Sequence, residues 1–210
     1  MEIHFNILDE KRKAILPLLQ SLSSEGFYLA GGTGLALQIG HRDSIDFDFF
    51  KEGNYDTEKL AEKLESVFSK NIFVITQQEK NTLSCIIDNS IRLSFFGYHH
   101  SLLYPLITTE YFNIASISDI GCMKCSAITS RWVEKDYVDL YFILQNASLQ
   151  KLLADCAKKY PALDTSVILK SLVYFDDVLH EPIIFKEGHD VSFGNVKIFL
   201  KKVVAEYFKK

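Results

Sequence analysis

Apolar residues along this chain recur at two spacings, and the change between them divides it. From Leu8 to Ser24 they fall three and four apart behind Asp9, the pattern of an amphipathic helix with an acidic N-cap. Pro17 should kink or restart that helix. Phe27 to Ala30 reads as a short apolar strand that runs straight into Gly31-Gly32. Thr33 to Gly40 reads as a helix, with Thr33 as its N-cap and Gly40 as its stop. Ser44 to Phe50 alternates, which predicts a strand with Ile45, Phe47 and Phe49 facing the core. Thr57 to Lys70 returns to helical spacing. Ile72 to Gln77, Leu83 to Ile87 and Ile91 to Phe96 read as strands, with a hairpin turn at Asp88-Asn89-Ser90.

After about Ser101 the period is helical. Ser118 to Ser130, Lys135 to Asn146, Leu149 to Lys158, Thr165 to His180 and Asn195 to Lys209 are the expected helices. The pattern therefore predicts an α/β core, in the α+β sense of a mixed sheet with flanking helices, over residues 1–105. A helical region over 106–210 should pack on it. No repeat, low-complexity tract or Pro/Gly-rich linker interrupts the pattern.

Composition adds bounds. The 210 residues are 48% hydrophobic and 24% charged, the balance of an ordinary globular protein with a real core. The formal charge of -4 advertises no bulk affinity for polyanions, so a nucleic-acid contact would need a local patch. The charged first twenty residues and the lack of a long apolar run predict a cytoplasmic, non-membrane protein with reduced thiols. Cys122 and Cys125 have CxxC spacing, but no second pair completes a zinc site, so they are expected to be helix residues.

Candidate chemistry concentrates between residues 31 and 48. A strand ending in Gly31-Gly32 before a helix at Thr33 leaves backbone N–H groups open to close approach. The helix N-terminus adds partial positive charge, which together suits a phosphate. The same two glycines also suit a tight turn. Asp46 and Asp48 are two apart on a strand, so both carboxylates project from one face and repel unless a cation lies between them. Mg²⁺ is commonly held by such a pair plus substrate phosphates. A solvated edge strand would show the same spacing. His41 and Arg42 either contact phosphate or pin the loop against Asp43.

The run Tyr28-Leu-Ala-Gly-Gly-Thr-Gly-Leu-Ala-Leu-Gln-Ile-Gly-His-Arg-Asp-Ser-Ile-Asp-Phe-Asp-Phe-Phe50 resembles the first motif of the AbiEii/AbiGii toxin family, within the DNA polymerase β-like nucleotidyltransferase superfamily. A second run resembles that family's Lys…Arg…Lys-Asp…Asp-Leu segment: Lys124, Arg131, Lys135, Asp136, Asp139 and Leu140. The resemblance spans roughly residues 25–145. It implies transfer of a nucleotide from an NTP to an RNA (tRNA) or protein acceptor, with Mg²⁺ or Mn²⁺ and a separate antitoxin protein as partner. By position it implies metal-binding Asp46 and Asp48. Lys124 falls on the phosphate-contacting lysine, and Asp136 and Asp139 on the later acidic motif. Gly31, Gly32, Thr33, Arg42, Arg131 and Lys135 would surround the nucleotide. Read from the residues alone, Lys135 and Asp139 also form an ordinary helix pair, and the whole second block fits an ion network joining the two halves.

One departure stands out. The superfamily places a third carboxylate on a later strand, and the matching inward polar position here is Ser94. Asp136 or Asp139 would then have to substitute, or activity would be lost. A non-catalytic nucleotide-binding descendant and a DxD glycosyltransferase are the competing readings. At the C-terminus, Phe199, Leu200, Val203, Val204 and Tyr207 should pack inward. Lys197, Lys201, Lys202, Lys209 and Lys210 would leave a basic strip able to guide RNA or merely to solvate the helix.

Overall fold

The computed structural model describes residues 2–209, beginning with a single turn of 3-10 helix at Phe5–Ile7. In chain order follow α1 (Glu10–Ser23), β1 (Tyr28–Leu29), α2 (Gly31–Ile39), β2 (Asp46–Glu52) and α3 (Thr57–Val67). Then come β3 (Phe73–Glu79), β4 (Thr82–Ile87), β5 (Ile91–Tyr98), β6 (Ile107–Thr108) and β7 (Asn113–Ile114). Five helices complete the chain: α4 (Ile117–Ala127), α5 (Glu134–Asn146), α6 (Leu149–Lys159), α7 (Thr165–Val173) and α8 (Phe193–Tyr207).

The strands form one mixed seven-stranded sheet in the order β3-β4-β5-β2-β1-β7-β6. The β4–β5 hairpin turns through Asp88 and Asn89, both with positive φ (49° and 56°), which short polar side chains tolerate. β2 runs parallel to β5, so Asp46, Asp48 and Phe50 sit beside Arg92, Ser94 and Phe96 on one face. The other face carries Phe47, Phe49, Leu93 and Phe95 into a core that α1 and α3 cover with Leu19, Leu22 and Leu64. A second core lies among α4 to α8, around Tyr137, Leu140, Leu172 and Leu200.

Several expectations shift. The sheet continues past residue 105, because the two-residue strand β7 pairs with β1 and the equally short β6 pairs with β7. Such strands are too short to leave a period in sequence. α1 runs unbroken through Pro17, which lies on its exposed side, where the carbonyl deprived of a partner can meet water. β2 starts at Asp46, so Ile45 lies outside the strand and is 55% exposed instead of facing the core. α7 stops at Val173, well short of His180. α8 buries Val196, Leu200 and Val204 fully, while Phe199, Val203 and Tyr207 are half-buried. The four cysteines are free and buried, and burial pushes the Cys85 thiol up to about 12. Among the described residues no helix is long and apolar enough to cross a membrane.

Candidate active site

α2 begins one turn earlier than its sequence suggests. Its N-cap is Ala30, which has no side chain to offer, so the N–H groups of Gly31, Gly32 and Thr33 are left without capping partners. Thr33 is therefore not the N-cap. Its hydroxyl bonds the Ser44 hydroxyl at 2.7 Å and the Asp46 carbonyl, tying the first turn of α2 to the start of β2. Gly40 closes the helix in the left-handed region, as expected (φ 75°).

Both glycines of the turn are required by close approach. Gly31 has φ 63°, and a Cβ there would lie 3.0 Å from Asp48 Oδ2. A Cβ on Gly32 would lie 2.5 Å from Arg42 Nη2. The turn thus brings the Asp48 carboxylate and the Arg42 guanidinium against the same uncapped helix end.

Asp46 and Asp48 share a face of β2, with Asp48 half-buried and Asp46 exposed. Arg42, Lys124 and Arg131 engage other groups, and neither carboxylate has an ion-pair partner among the described residues. Burial, and then the Asp46 charge, push the Asp48 carboxyl up from its usual range, against the charges of Lys124, Arg131 and Arg92. The third position, beside Asp48 on β5, is Ser94, whose hydroxyl lies 3.4 Å from that of Ser84.

The second motif forms a buried ion cluster next to this pair. Asp139, fully buried, accepts both arms of the Arg42 guanidinium at 2.8 and 2.9 Å, His41 Nε2 at 2.9 Å and Lys124 Nζ at 2.6 Å. Asp136 accepts Lys124 at 2.7 Å and Arg131 at 3.0 Å. Burial alone would raise the Asp139 carboxyl, but Arg42, Lys124 and the His41 hydrogen bond hold it well below the usual carboxylate range. Burial likewise opposes the Lys124 charge, and Asp139 and Asp136 more than restore it. His41 is neutral: desolvation lowers it, its Nε2–H donates to Asp139 and its Nδ1 has no partner.

This arrangement answers the open questions of the sequence. Arg42 and His41 pin their loop, but to Asp139 rather than to the Asp43 side chain. Asp136 and Asp139 hold cations and do not fill the place of a third carboxylate beside Asp48. Three cations against two carboxylates leave the cluster one positive charge in excess, facing the unpaired aspartates.

A cleft of about 320 Å³ joins the two motifs. Gly32, Thr33, Arg42, Asp46, Asp48, Lys124, Arg131, Lys135 and Asp136 all line it; Asp139 does not, and Gly31 lines an adjoining hollow with Gly32, Asp48, Lys124 and Arg131. Lys135 pairs with Glu181 at 2.9 Å. Arg92, beside Asp46 on β5, lends positive charge near Asp48 without lining the cleft, and was not among the expected site residues, although strand alternation puts it on that face. Sequence reasoning also missed Glu181, Pro182 and Ile184, which reach the cleft from a segment with no motif. The α8 lysines are not among its lining: Lys197 and Lys201 lie over the Phe175 ring, 5.6 and 5.8 Å from its centre.

Residues 16–202 match the family described as nucleotidyl transferase AbiEii toxin, type IV TA system. An uncharacterized protein of Aquifex aeolicus (strain VF5) is 35% identical over 210 residues, covering 95% of this chain and 97% of its own. Among solved structures, MenT4, a nucleotidyltransferase toxin of Mycobacterium tuberculosis H37Rv, superposes with a TM-score of 0.62 at 15% identity, over 92% of this chain and 81% of its own. JHP933 of Helicobacter pylori superposes at 0.61 and 17% identity, over 96% and 94% of the two chains. At such identities these likenesses speak for the fold. The family match runs over most of the sequence and includes both motifs of the cleft, and on that ground the chain belongs to the AbiEii nucleotidyltransferase toxin family.

Proposed function

We propose that this protein transfers a nucleotide from an NTP to an RNA, such as tRNA, or to a protein, as a toxin opposed by a cognate antitoxin protein. The observation that carries the reading is a pair of unpartnered aspartates held against an uncapped helix N-terminus, with Arg42, Lys124 and Arg131 beside them. The N–H groups of Gly31, Gly32 and Thr33 bind phosphate oxygens. Arg131, more than half exposed, adds a guanidinium fork at the same place. Lys124 is too tightly held by Asp136 and Asp139 to swing out, so it acts as a fixed positive charge. Arg42 supports the turn through Gly32.

No group of three or more His, Cys, Asp or Glu side chains fit to hold a metal exists among the described residues. Two bare carboxylates fit Mg²⁺ or Mn²⁺ all the same, because these ions take much of their shell from water and substrate phosphates. Asp46 and Asp48 would hold the ion, which when bound offsets charge on the transferring phosphoryl group. Their unpaired charges, and the raised Asp48 carboxyl in particular, support this reading, because a cation would offset both.

Ser94 favours a second reading, a nucleotide-binding descendant without catalysis. Titration with each NTP in Mg²⁺, followed by assay of label transfer from α-labelled NTP to cell RNA and protein, separates the two. Under the first reading Asp46→Ala with Asp48→Ala abolishes both Mg²⁺-dependent binding and transfer. Binding without transfer supports the second. Wild-type affinity in the double variant, or no NTP binding to the wild type, refutes a nucleotide site at this pair.

A further inference from the structure

The cleft has a polar half and an apolar half. The polar half is the helix end, the aspartates and the cations already described. The apolar half is built by Ile45, Val133, Pro182 and Ile184. Ile45 is 55% exposed and Ile184 66% exposed, placing two of the protein's few large exposed apolar residues on the lip of one charged cleft.

Local structure explains why they are there. Between α7 and α8, residues 179–186 form a strap, flanked by turns at 176–177 and 187–188, that lines the cleft with Glu181, Pro182 and Ile184. Leu179 exchanges backbone hydrogen bonds with Trp132 and Glu134 at 2.7 and 3.0 Å, at the start of α5. At its other end Asp43 N–H donates to the Ile184 carbonyl at 2.8 Å, and Lys186 N–H to the His41 carbonyl at 3.0 Å. Between these anchors the chain alternates. Ile183 and Phe185 pack into the second core, which turns Pro182 and Ile184 outward. Ile45, one residue before β2 begins, lines the same cleft. Four backbone hydrogen bonds thus hold the strap that carries Pro182 and Ile184, whose side chains are exposed.

We infer that this lip, Ile45 with Pro182 and Ile184, is the platform that receives the base of the nucleotide, an inference that rests on the proposed nucleotide site. A nucleoside triphosphate is charged at one end and has a flat face of low polarity at the other. The cleft presents the same sequence of surfaces, continuous with the phosphate-binding turn, and its volume suits a small molecule. The aliphatic side chains cover the face of the base and exclude water from it. The strap, absent from both sequence motifs, becomes the element that distinguishes a nucleotide from a bare polyphosphate.

The experiment compares Mg²⁺-dependent binding of ATP, CTP, GTP and UTP with that of inorganic tripolyphosphate, using the full chain. The variant is Ile45→Ser with Ile184→Ser. Both side chains are exposed and the backbone bonds at these positions remain, so the fold persists. Leu179→Ser, 65% exposed on the same strap but outside the cleft lining, is the control. The double variant should weaken the NTPs that bind by about tenfold or more while leaving tripolyphosphate unchanged. The control should change neither. Unchanged NTP affinity in the double variant, equal weakening of NTP and tripolyphosphate, or a matching loss in the control overturns the platform. Wild-type binding of tripolyphosphate but of no NTP also overturns it while leaving the phosphate cleft standing. Wild-type binding of neither ligand removes the nucleotide site and the platform together.

Discussion

Asp46 and Asp48 on β2 and Asp136 and Asp139 on α5 are neighbours through Lys124, yet they live in opposite electrostatic settings. The α5 pair is buried and engages Arg42, Lys124, Arg131 and neutral His41. The β2 pair has no such partner, and its inner member is pushed toward the protonated state. A buried charge persists only when other groups compensate it. The α5 carboxylates are therefore part of what holds the fold, while the β2 carboxylates carry a cost that the proposed metal and nucleotide would offset. Two pairs of closely spaced aspartates differ in this way only once their partners are known.

The sharpest way to break this contrast is Asp139→Asn. It leaves Arg42 and Lys124 facing a neutral amide in a buried place, and should cost about 3–5 kcal/mol of stability in denaturant unfolding. A loss below about 1 kcal/mol would mean that the cluster is solvated and the contrast false.

Gly32→Ala tests the link between the two regions. A Cβ 2.5 Å from Arg42 Nη2 must displace a guanidinium already forked onto Asp139, so the expected loss is about 1–3 kcal/mol. An unperturbed melting temperature would show that Arg42 yields freely and that the glycine serves only the ligand.

The pH dependence of stability sharpens the contrast further. His41 has a folded pKa below its unfolded value, so its contribution is present above the ordinary histidine range and is lost as pH falls below it. The unfolded chain then takes up a proton that the native site refuses. One such proton bounds the slope at about 1.4 kcal/mol per pH unit. His41→Gln should flatten the stability curve between pH 7 and 5, whereas a slope identical to wild type would place the titration elsewhere. Asp139, held low, weakens the fold only at more acid pH still.

The smallest effect is expected at the bare pair. Asp48 has a folded pKa above its unfolded value, so its ionised form destabilises the unliganded fold once pH rises through the carboxylate range. Asp48→Asn should therefore melt no lower than wild type at neutral pH, and match it more closely in acid. A clear drop in melting temperature would assign Asp48 a structural partner and undo its separation from the α5 pair.

Much of the local structure was legible without coordinates. Asp9, Gly40 and the Asp88-Asn89 turn act through their own backbone and nearest neighbours, so α1, the end of α2 and the β4–β5 hairpin follow from residue type. Strand period likewise placed Asp46 and Asp48 on one face, while the resemblance pointed to Ser94 as the third position, which the β2–β5 register sets beside Asp48. Ile45 was misplaced because alternation gives a phase but not the residue at which pairing begins. β6 and β7 were missed because two residues make no pattern: β7 is a strand through its long-range pairing with β1, and β6 through its pairing with β7.

What the sequence determined was the inventory of the site: the glycine turn, the β2 carboxylates and the basic second motif, each carried by short spacings. Which aspartates are paired, which lysine is fixed and what forms the apolar side of the cleft were decided only by tertiary structure. Those outcomes depend on contacts between residues far apart in the chain, such as Arg42 with Asp139 and Asp43 with Ile184. Burial and charge compensation are properties of that assembled neighbourhood, and no local spacing encodes them.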